Sequence, residues 1–303
     1  MQMRLVVNLV LLCCFADRTL ADVDLASGMM RGTFKIEGPP GCVGTAFVVG
    51  RPRRSDSKKA SRVLVTAAHV LEHIQGDKAV LHCRKISGEK YERVPLAIPI
   101  RRDNKPLWVK HPNADVAVMY LPLPKEMNID SYLIGTGVFI SDKEIQECEI
   151  HPDDTLFALG FPFGEEANPQ GFPILRSGAI ASFPITRSAG GDTFLFDFEV
   201  YQGNSGGPVF LIDENPRYGG DLKLGRVFRG LMGIVSERRI VTEKVTSLSE
   251  TRIQEHPLSI AVVIHASVIK EAIYMLPDIE EDGKEAKQQD DAQNKKDNKR
   301  VEK

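Results

Sequence analysis

The sequence predicts an all-β fold, a sandwich or a barrel, and three observations support this. Short β-branched or alternating apolar runs recur from about residue 30 to residue 267. Gly, Pro, Asn and Asp separate these runs, as is typical of turns between the strands of sandwiches and barrels. The alternation of strands and helices that builds parallel sheets is missing from the pattern.

The first element in chain order is a predicted secretory signal at residues 1–21. A basic residue precedes an apolar run from Leu5 to Ala16, and small residues follow it. This run is too short to span a bilayer but matches the hydrophobic region of a signal peptide. We expect cleavage after Ala21, with Ala16 as the second choice. The protein would then be exported (secreted or periplasmic) and would keep no stable membrane anchor.

The predicted strands come next, and each is a run of four to eight mainly apolar residues. They lie at residues 45–49, 62–68, 78–83, 115–121, 154–161, 193–198, 207–212, 230–236 and 258–264.

One helix and a polar tail end the chain. The helix is predicted from about Ala266, with Ser267 as its N-cap and Pro277 as its end. Residues 277–303 consist mostly of Lys, Glu, Asp, Gln and Asn. Such a segment buries too little apolar surface to offset the entropy lost on ordering, so we predict a disordered charged tail.

Composition and cysteine spacing argue against nucleic acid as a partner and against a zinc site. The net charge is −2 over 303 residues, and no basic stretch is interleaved with aromatic residues, so nucleic acid is not an expected partner. Loss of the signal would leave Cys42, Cys83 and Cys148, an odd number that allows at most one disulfide. Because no pair of cysteines has the spacing of a zinc site, we expect no metal there.

Three stretches carry the groups that nucleophilic catalysis needs. Ser205 stands among glycines in GNSGGP, directly before an apolar strand. His69 ends the strand VLVTAAHV, and Asp115 lies at the mouth of the strand DVAVM. A serine hydroxyl is a weak nucleophile near neutral pH and needs an imidazole to take its proton and a carboxylate to orient that imidazole. All three lie at predicted strand ends, where a rigid scaffold can bring them together.

The order His, Asp, Ser with TAAH, DVAV and GNSGGP resembles the trypsin/chymotrypsin superfamily of serine endopeptidases. GCVGTAFVV is similar to the strand before the histidine, and GLMGIVSE to the strand that flanks bound substrate. LGFPFG followed by ILRSGAIASF resembles the HtrA-type (Deg) branch. The resemblance covers roughly residues 32–275. It implies two six-stranded antiparallel β-barrels, at about 30–135 and 136–276, the second with the C-terminal helix and the cleft between them.

The resemblance also implies roles for the site residues. Ser205 would be the nucleophile, His69 the general base and acid, and Asp115 the group that orients His69. The backbone N–H groups of Gly203 and Ser205 would stabilise the oxyanion. Ser236 would lie near His69 on the substrate-flanking strand. Polypeptides are the implied substrates, and no metal or organic cofactor is implied.

Two residues compete for the pocket that selects the residue before the cut. Glu199 stands where trypsin-like relatives carry the acid that selects Arg or Lys, and Val200 matches an aliphatic position of the HtrA-type branch. A buried carboxylate without a partner is costly. Glu199 could therefore serve only if a substrate cation or water satisfied it, and because the second-barrel motifs resemble the HtrA-type branch more, we expect Val, Ala or similar residues before the cut.

The sequence departs from the superfamily in three ways. Asn204 stands where zymogen-type trypsins carry Asp, so no activation beyond signal removal is expected. Cys42 lacks its usual family partner, since Val70 follows His69. The PDZ domain of HtrA-type enzymes has no counterpart in the short polar tail.

Two other functions are compatible with parts of this sequence. HVLEH at residues 69–73 matches the H-x-x-E-H pattern of inverted zinc peptidases, which requires a helix to begin at once after the strand. The double barrel could also serve as a catalytically silent binding module, although such modules usually lose a member of the triad.

Overall fold

The structure is a computed structural model that describes residues 24–54, 56, 59–88, 90–124, 127, 129, 133–222, 226–246 and 251–278. The predicted signal at 1–21 and all but the first two residues of the predicted tail at 277–303 lie outside the described residues.

The described chain consists mainly of strands, which confirms the predicted all-β fold. The strands are β1 (Thr33–Gly38), β2 (Cys42–Pro52), β3 (Ala60–Thr66), β4 (Lys78–Ser87), β5 (Lys90–Pro99), β6 (Arg101–Arg102), β7 (Lys105–Pro106), β8 (Val109–Lys110), β9 (Ala117–Tyr120), β10 (Ile134–Gly135), β11 (Thr155–Gly160), β12 (Ile174–Ala179), β13 (Thr193–Asp197), β14 (Pro208–Asp213), β15 (Arg217–Tyr218), β16 (Asp221–Leu222), β17 (Phe228–Thr246) and β18 (Thr251–His265). The helices are α1 (Leu25–Gly32), α2 (Ala68–His73), α3 (Asp142–Glu147), α4 (Arg187–Gly190) and α5 (Ala266–Met275), with 3₁₀ turns at Thr136–Val138 and Pro162–Gly164.

The first large sheet has the strand order β5-β4-β1-β2-β3-β9-β8, with every neighbour antiparallel. The short β10 is added in parallel beside β2. The described sheet thus has six main strands, as the resemblance implies, and gains two strands of two residues each, β8 and β10. Its interior is filled by buried apolar side chains, among them Phe34, Ile36, Leu64, Leu71 and Leu81.

The second large sheet has six strands in the order β12-β11-β14-β17-β18-β13. Its two ends meet, because Ile180 bridges to Phe196 and the Ala181 N–H donates to the Leu195 carbonyl at 2.8 Å. This closure makes a barrel, and its core includes Leu156, Phe194, Val209 and Met232.

A third apolar cluster joins the two sheets. It contains Phe47 and Val65 from the first sheet and Phe210 and Leu231 from the second. Helix α5 packs into the same cluster through Ile269 and neighbouring residues. The sheets therefore pack face to face around this shared interface.

Helix α5 differs from its prediction at the first turn. It begins at Ala266, so His265 and not Ser267 occupies the N-cap position. No side chain caps it there, because the strand β18 runs directly into the helix. Its end at Met275 agrees with the predicted stop before Pro277. Within the described residues, no helix combines the length and the apolar character needed to cross a membrane.

A buried arginine ties the two sheets together. Arg84, on β4, donates to the carbonyl oxygens of Met30 and Arg31 in α1 and of Thr33 in β1. It also donates to the Gly171 carbonyl, in the loop between β11 and β12 of the second sheet. Its guanidinium carbon lies 4.6 Å from the Phe34 ring centroid and 4.4 Å from that of Phe172, so the charged group is stacked between two aromatic faces.

The hairpin of β17 and β18 is longer than predicted. Sequence patterns place strands only at 230–236 and 258–264, whereas β17 continues to Thr246 and β18 begins at Thr251. The outer part of β17, from Glu237 to Lys244, is exposed and, within the described residues, pairs with β18 alone. Its polar residues give no burial pattern, so the apolar periodicity that marks the inner part does not extend to it.

The three cysteines of the described chain are free thiols. Burial raises the pKa of the Cys83 thiol to about 12. Burial also raises the pKa of Cys42, whose thiol donates to the Val70 carbonyl at 3.6 Å.

Candidate active site

His69 and Asp115 meet where two strands of the first sheet end. β3 ends at Thr66, and α2 begins at Ala68, so His69 lies in the first turn of this helix. Asp115 precedes β9, which pairs with β3. The His69 ring Nδ1 lies 2.6 Å from Asp115 Oδ2, and the His69 backbone N–H donates to Oδ1 at 2.9 Å. The carboxylate therefore binds both the ring and the backbone of the same histidine.

Ser236 supplies a third hydrogen bond to this carboxylate. Its hydroxyl donates to Asp115 Oδ2 at 2.8 Å. Burial alone would raise the pKa of Asp115, but the hydrogen bonds from His69 and Ser236 and the His69 charge outweigh that effect and hold the pKa below its ordinary value. Asp115 is thus an anion at neutral pH, suited to bind an Nδ1–H group.

Ser236 owes its position to an irregularity in β17. The register between β17 and β18 shifts between Val235 and Glu237, so Ser236 is the extra residue of a β-bulge. Its hydroxyl reaches Asp115, and its backbone carbonyl accepts the hydroxyl proton of Ser205 at 3.0 Å. Ser236, a residue of the second sheet, therefore contacts both Asp115 and Ser205.

Ser205, His69, Asp115 and Ser236 line one cavity of about 830 Å³. In this state the Ser205 hydroxyl is bound to the Ser236 carbonyl and not to the His69 ring. Catalytic hydrogen bonds of enzymes without substrate are often long or directed elsewhere and tighten when substrate binds. The structure brings the three predicted side chains together from both sheets.

The turn that carries Ser205 requires glycine at two positions, and at each of them a different neighbouring carbonyl leaves no space for a side chain. Gly203 has φ +96°, and a Cβ there would lie 2.1 Å from the Phe161 carbonyl oxygen. Gly206 has φ +87°, and a Cβ there would lie 2.0 Å from the Thr45 carbonyl oxygen of the first sheet. Side chains are excluded by both the backbone conformation and the neighbouring main chain. The glycines thus let the turn lie directly against both sheets.

The N–H groups of Gly203 and Ser205 find no acceptor in the part of the chain that the structure describes. Both belong to the turn beside the Ser205 hydroxyl. Two neighbouring amide donors without a protein acceptor can bind a developing negative charge, which is the chemistry that an oxyanion site needs.

The cavity wall next to Ser205 is partly apolar. Val200 is 6% exposed and lines it together with Val262 and Ile264. Glu199 lies outside this lining and is exposed, and its carboxylate accepts a hydrogen bond that raises the pKa of Tyr201. Of the predicted substrate-binding residues, the structure brings Val200 and Ser236 to the cavity but directs Glu199 to the surface.

Two aromatic residues at the cavity rim were not identified from the sequence. The ring centroids of Phe163 and Tyr201 lie 5.0 Å apart, and Phe163 is 67% exposed. Phe163 belongs to the LGFPFG stretch, and its φ of +54° is uncommon for a residue with a side chain. The FPFG pattern was visible in the sequence, but the contact between its Phe and Tyr201 depends on tertiary structure.

The HVLEH stretch forms the helix that a zinc interpretation requires, because α2 begins directly after β3. Its polar groups are engaged elsewhere: the His69 ring binds Asp115, and Glu72 pairs with Lys110 at 2.8 Å. The His69 and His73 ring centroids lie 5.9 Å apart. Among the described residues, no group of three or more His, Cys, Asp or Glu side chains is placed to hold one metal ion.

Known proteins are similar to this chain in sequence and in fold. A family model described as "Trypsin-like peptidase domain" matches residues 44–216, more than half of the chain. Similar solved structures include a thermostable serine protease, AL20, from an extremophilic microorganism (13% identity, TM-score 0.43, 81% of this chain and 96% of that chain covered). Another is the protease Anisep from Arthrobacter nicotinovorans (13% identity, TM-score 0.44, 81% and 95% covered). No curated protein matches the sequence. The family model is not specific to the HtrA-type branch, which stays a prediction.

Proposed function

This chain belongs to the trypsin-like peptidase domain family, and we propose that it is an exported serine endopeptidase that cleaves polypeptides through an acyl-enzyme. The observation that carries the proposal is the set of hydrogen bonds in the cavity. His69 and Ser236 both bind Asp115, and Ser236 in turn binds Ser205. Export is inferred from residues 1–21 alone.

The first half of the proposed reaction forms the acyl-enzyme. The Ser205 hydroxyl turns from the Ser236 carbonyl to His69, gives its proton to Nε2 and attacks the substrate carbonyl carbon. Asp115 keeps the other ring proton on Nδ1, because that nitrogen lies 2.6 Å from the carboxylate. The negative charge on the carbonyl oxygen is bound by the N–H groups of Gly203 and Ser205. His69 then protonates the leaving amine as the C–N bond breaks.

The second half regenerates the enzyme. Water gives a proton to His69 Nε2 while its oxygen attacks the ester carbon. The C–O bond to Ser205 breaks, and Ser205 recovers the proton from His69. The carboxylic acid product leaves, and no metal or organic cofactor takes part in either half.

The lining of the cavity supports a preference for small apolar residues before the cut. Val200, Val262 and Ile264 supply apolar contact there. Glu199, the competing candidate, is exposed and bound to Tyr201, so it offers no carboxylate to an Arg or Lys side chain in the cavity. We propose Val, Ala or similar residues, in line with the HtrA-type resemblance.

A fluorophosphonate probe tests the proposal, because it labels only an activated serine. We expect labelling of the wild type and casein hydrolysis, and loss of both in Ser205→Ala, with residual activity reduced about 10⁶-fold. Activity lost to a chelator but retained in Ser205→Ala would instead indicate the zinc peptidase. A folded wild type that neither reacts with the probe nor cleaves casein would indicate a silent binding module.

A further inference from the structure

Each backbone carbonyl from Gln202 to Ser205 accepts a hydrogen bond, and these bonds hold the turn around Ser205. The Gln202 carbonyl accepts from the Phe163 N–H at 2.6 Å, and the Asn204 carbonyl from the Gly207 N–H at 2.9 Å. Both donors belong to the second sheet or its loops. The remaining two carbonyls, those of Gly203 and Ser205, bind a single residue of the first sheet.

That residue is Thr45, on β2. Its hydroxyl donates to the Gly203 carbonyl at 2.6 Å, and its backbone N–H donates to the Ser205 carbonyl at 2.8 Å. The hydroxyl oxygen also accepts from the Phe161 N–H at 3.3 Å. A carbonyl can only accept and an N–H can only donate, so the hydroxyl proton must point to Gly203. The side chain of Thr45 is fully buried, at 0% exposure.

The hydrogen bond from the Thr45 hydroxyl matters because Gly203 has no side chain to restrict its backbone. Its φ of +96° lies in a region that glycine enters and leaves easily. A peptide unit is planar, with its N–H and C=O pointing in opposite directions. Rotation of the peptide between Gln202 and Gly203 would therefore turn a carbonyl towards the cavity and the Gly203 N–H away from it. The Phe163 N–H holds this peptide through the Gln202 carbonyl, and the Thr45 hydroxyl holds the next peptide, between Gly203 and Asn204, so the backbone is fixed on both sides of Gly203.

We propose that Thr45 is a positioning residue that keeps the Gly203 and Ser205 N–H groups directed at the oxyanion. The proposal rests on the proposed peptidase function and adds a residue that the catalytic motifs do not contain. Since these N–H groups bind the transition state more strongly than the substrate, losing their alignment lowers kcat and leaves KM nearly unchanged. Removal of one oxyanion donor costs about 10²–10³-fold in kcat, so misalignment of the Gly203 donor after loss of the Thr45 hydroxyl should cost about 10–100-fold.

Three variants separate positioning from mere stability. Thr45→Val keeps the shape and the backbone N–H but removes the hydroxyl, whereas Thr45→Ser restores it. Thr33→Val is the matched control, because the Thr33 hydroxyl is equally buried and donates to the Met29 carbonyl at 2.7 Å, away from the Ser205 turn. Thr45→Ala, which also lacks the hydroxyl and adds no bulk, replaces Thr45→Val if that protein does not fold.

The readouts are kcat, KM and the affinity of a peptide aldehyde, which forms a tetrahedral adduct with the serine and needs the oxyanion donors. We expect Thr45→Val to lose about 10–100-fold in kcat and in aldehyde affinity with KM within about twofold. Thr45→Ser should recover most of that loss, and Thr33→Val should keep wild-type kcat while its thermal midpoint falls.

Two outcomes overturn the role of Thr45 alone. In the first, Thr45→Val keeps wild-type kcat and aldehyde affinity in an enzyme that the probe labels. In the second, Thr33→Val loses as much kcat as Thr45→Val. An inactive wild type that the probe does not label overturns the proposed function itself, and the role of Thr45 with it.

Discussion

The two walls of the cleft are built by different means. On the first wall, His69 and Asp115 are held by side-chain hydrogen bonds and are about one third exposed, at 33% and 28%. On the second, the turn around Ser205 is held by backbone hydrogen bonds and by the Thr45 hydroxyl, and it packs against main chain at Gly203 and Gly206. Side-chain bonds can be removed one at a time, whereas a turn without space cannot accept one extra carbon. Substitutions that remove a side-chain group, such as those at His69 and Asp115, should therefore separate activity from stability, whereas a side chain added at Gly203 or Gly206 should not.

The largest expected effect comes from Gly206→Ala, on the second wall. Its new Cβ would lie 2.0 Å from the Thr45 carbonyl oxygen and 2.4 Å from the Thr66 hydroxyl oxygen, at a φ of +87°. We expect peptidase activity to disappear and the free energy of unfolding, measured by urea denaturation, to fall by about 3–5 kcal/mol.

Gly76→Ala is its matched control. Gly76 has φ +84°, but a Cβ there would meet no heavy atom of the described chain within 4 Å. The free energy of unfolding of Gly76→Ala should fall only by the cost of a left-handed backbone for a residue with a side chain, about 1–2 kcal/mol, and its activity should be kept. Equal losses in the two variants would show that the packing against Thr45 contributes nothing.

The next effect, on the first wall, is that of Asp115→Asn. The amide can still accept from the His69 backbone N–H, but its NH₂ group cannot accept from the Nδ1–H that the carboxylate stabilises. The ring then carries its proton on the wrong nitrogen, and kcat should fall about 10⁴-fold. The thermal midpoint should change by only a few degrees. A large drop in the midpoint would contradict the difference between the walls.

The smallest effect is a pH dependence of stability. The pKa of Asp115 is lower in the folded protein than in the unfolded chain. Such a carboxyl group stabilises the fold above its unfolded pKa of about 3.9, and that contribution is lost as the pH falls through the folded value. The difference in unfolding free energy between wild type and Asp115→Asn should thus be greatest near neutral pH and shrink below about pH 4. A difference that is constant with pH would show that Asp115 ionisation does not contribute.

The sequence was sufficient for those features that short motifs or apolar periodicity encode. Most inner strands were predicted because their apolar residues are buried, and Ser205, His69 and Asp115 because they lie at the ends of such strands, but β1, in the middle of the first sheet, was missed. The outer part of the β17–β18 hairpin and helix α1 were missed, since neither has a pattern that stands out from a polar loop. The direction of Glu199 and the contacts of Thr45 depend on which strand lies opposite, and spacing along the chain does not contain that information.

Arg84 has a consequence for the resistance of the folded chain to proteolysis. Its guanidinium is buried between the Phe34 and Phe172 rings and binds carbonyls on both sides of the interface. If one barrel opened alone, this cation would lose part of its hydrogen-bond shell before water could replace it, which is costly for a buried charge. Opening therefore becomes cooperative across both barrels. Half-open chains, which are the forms that proteases cut most readily, are kept scarce, so Arg84 should make the chain more resistant to proteolysis.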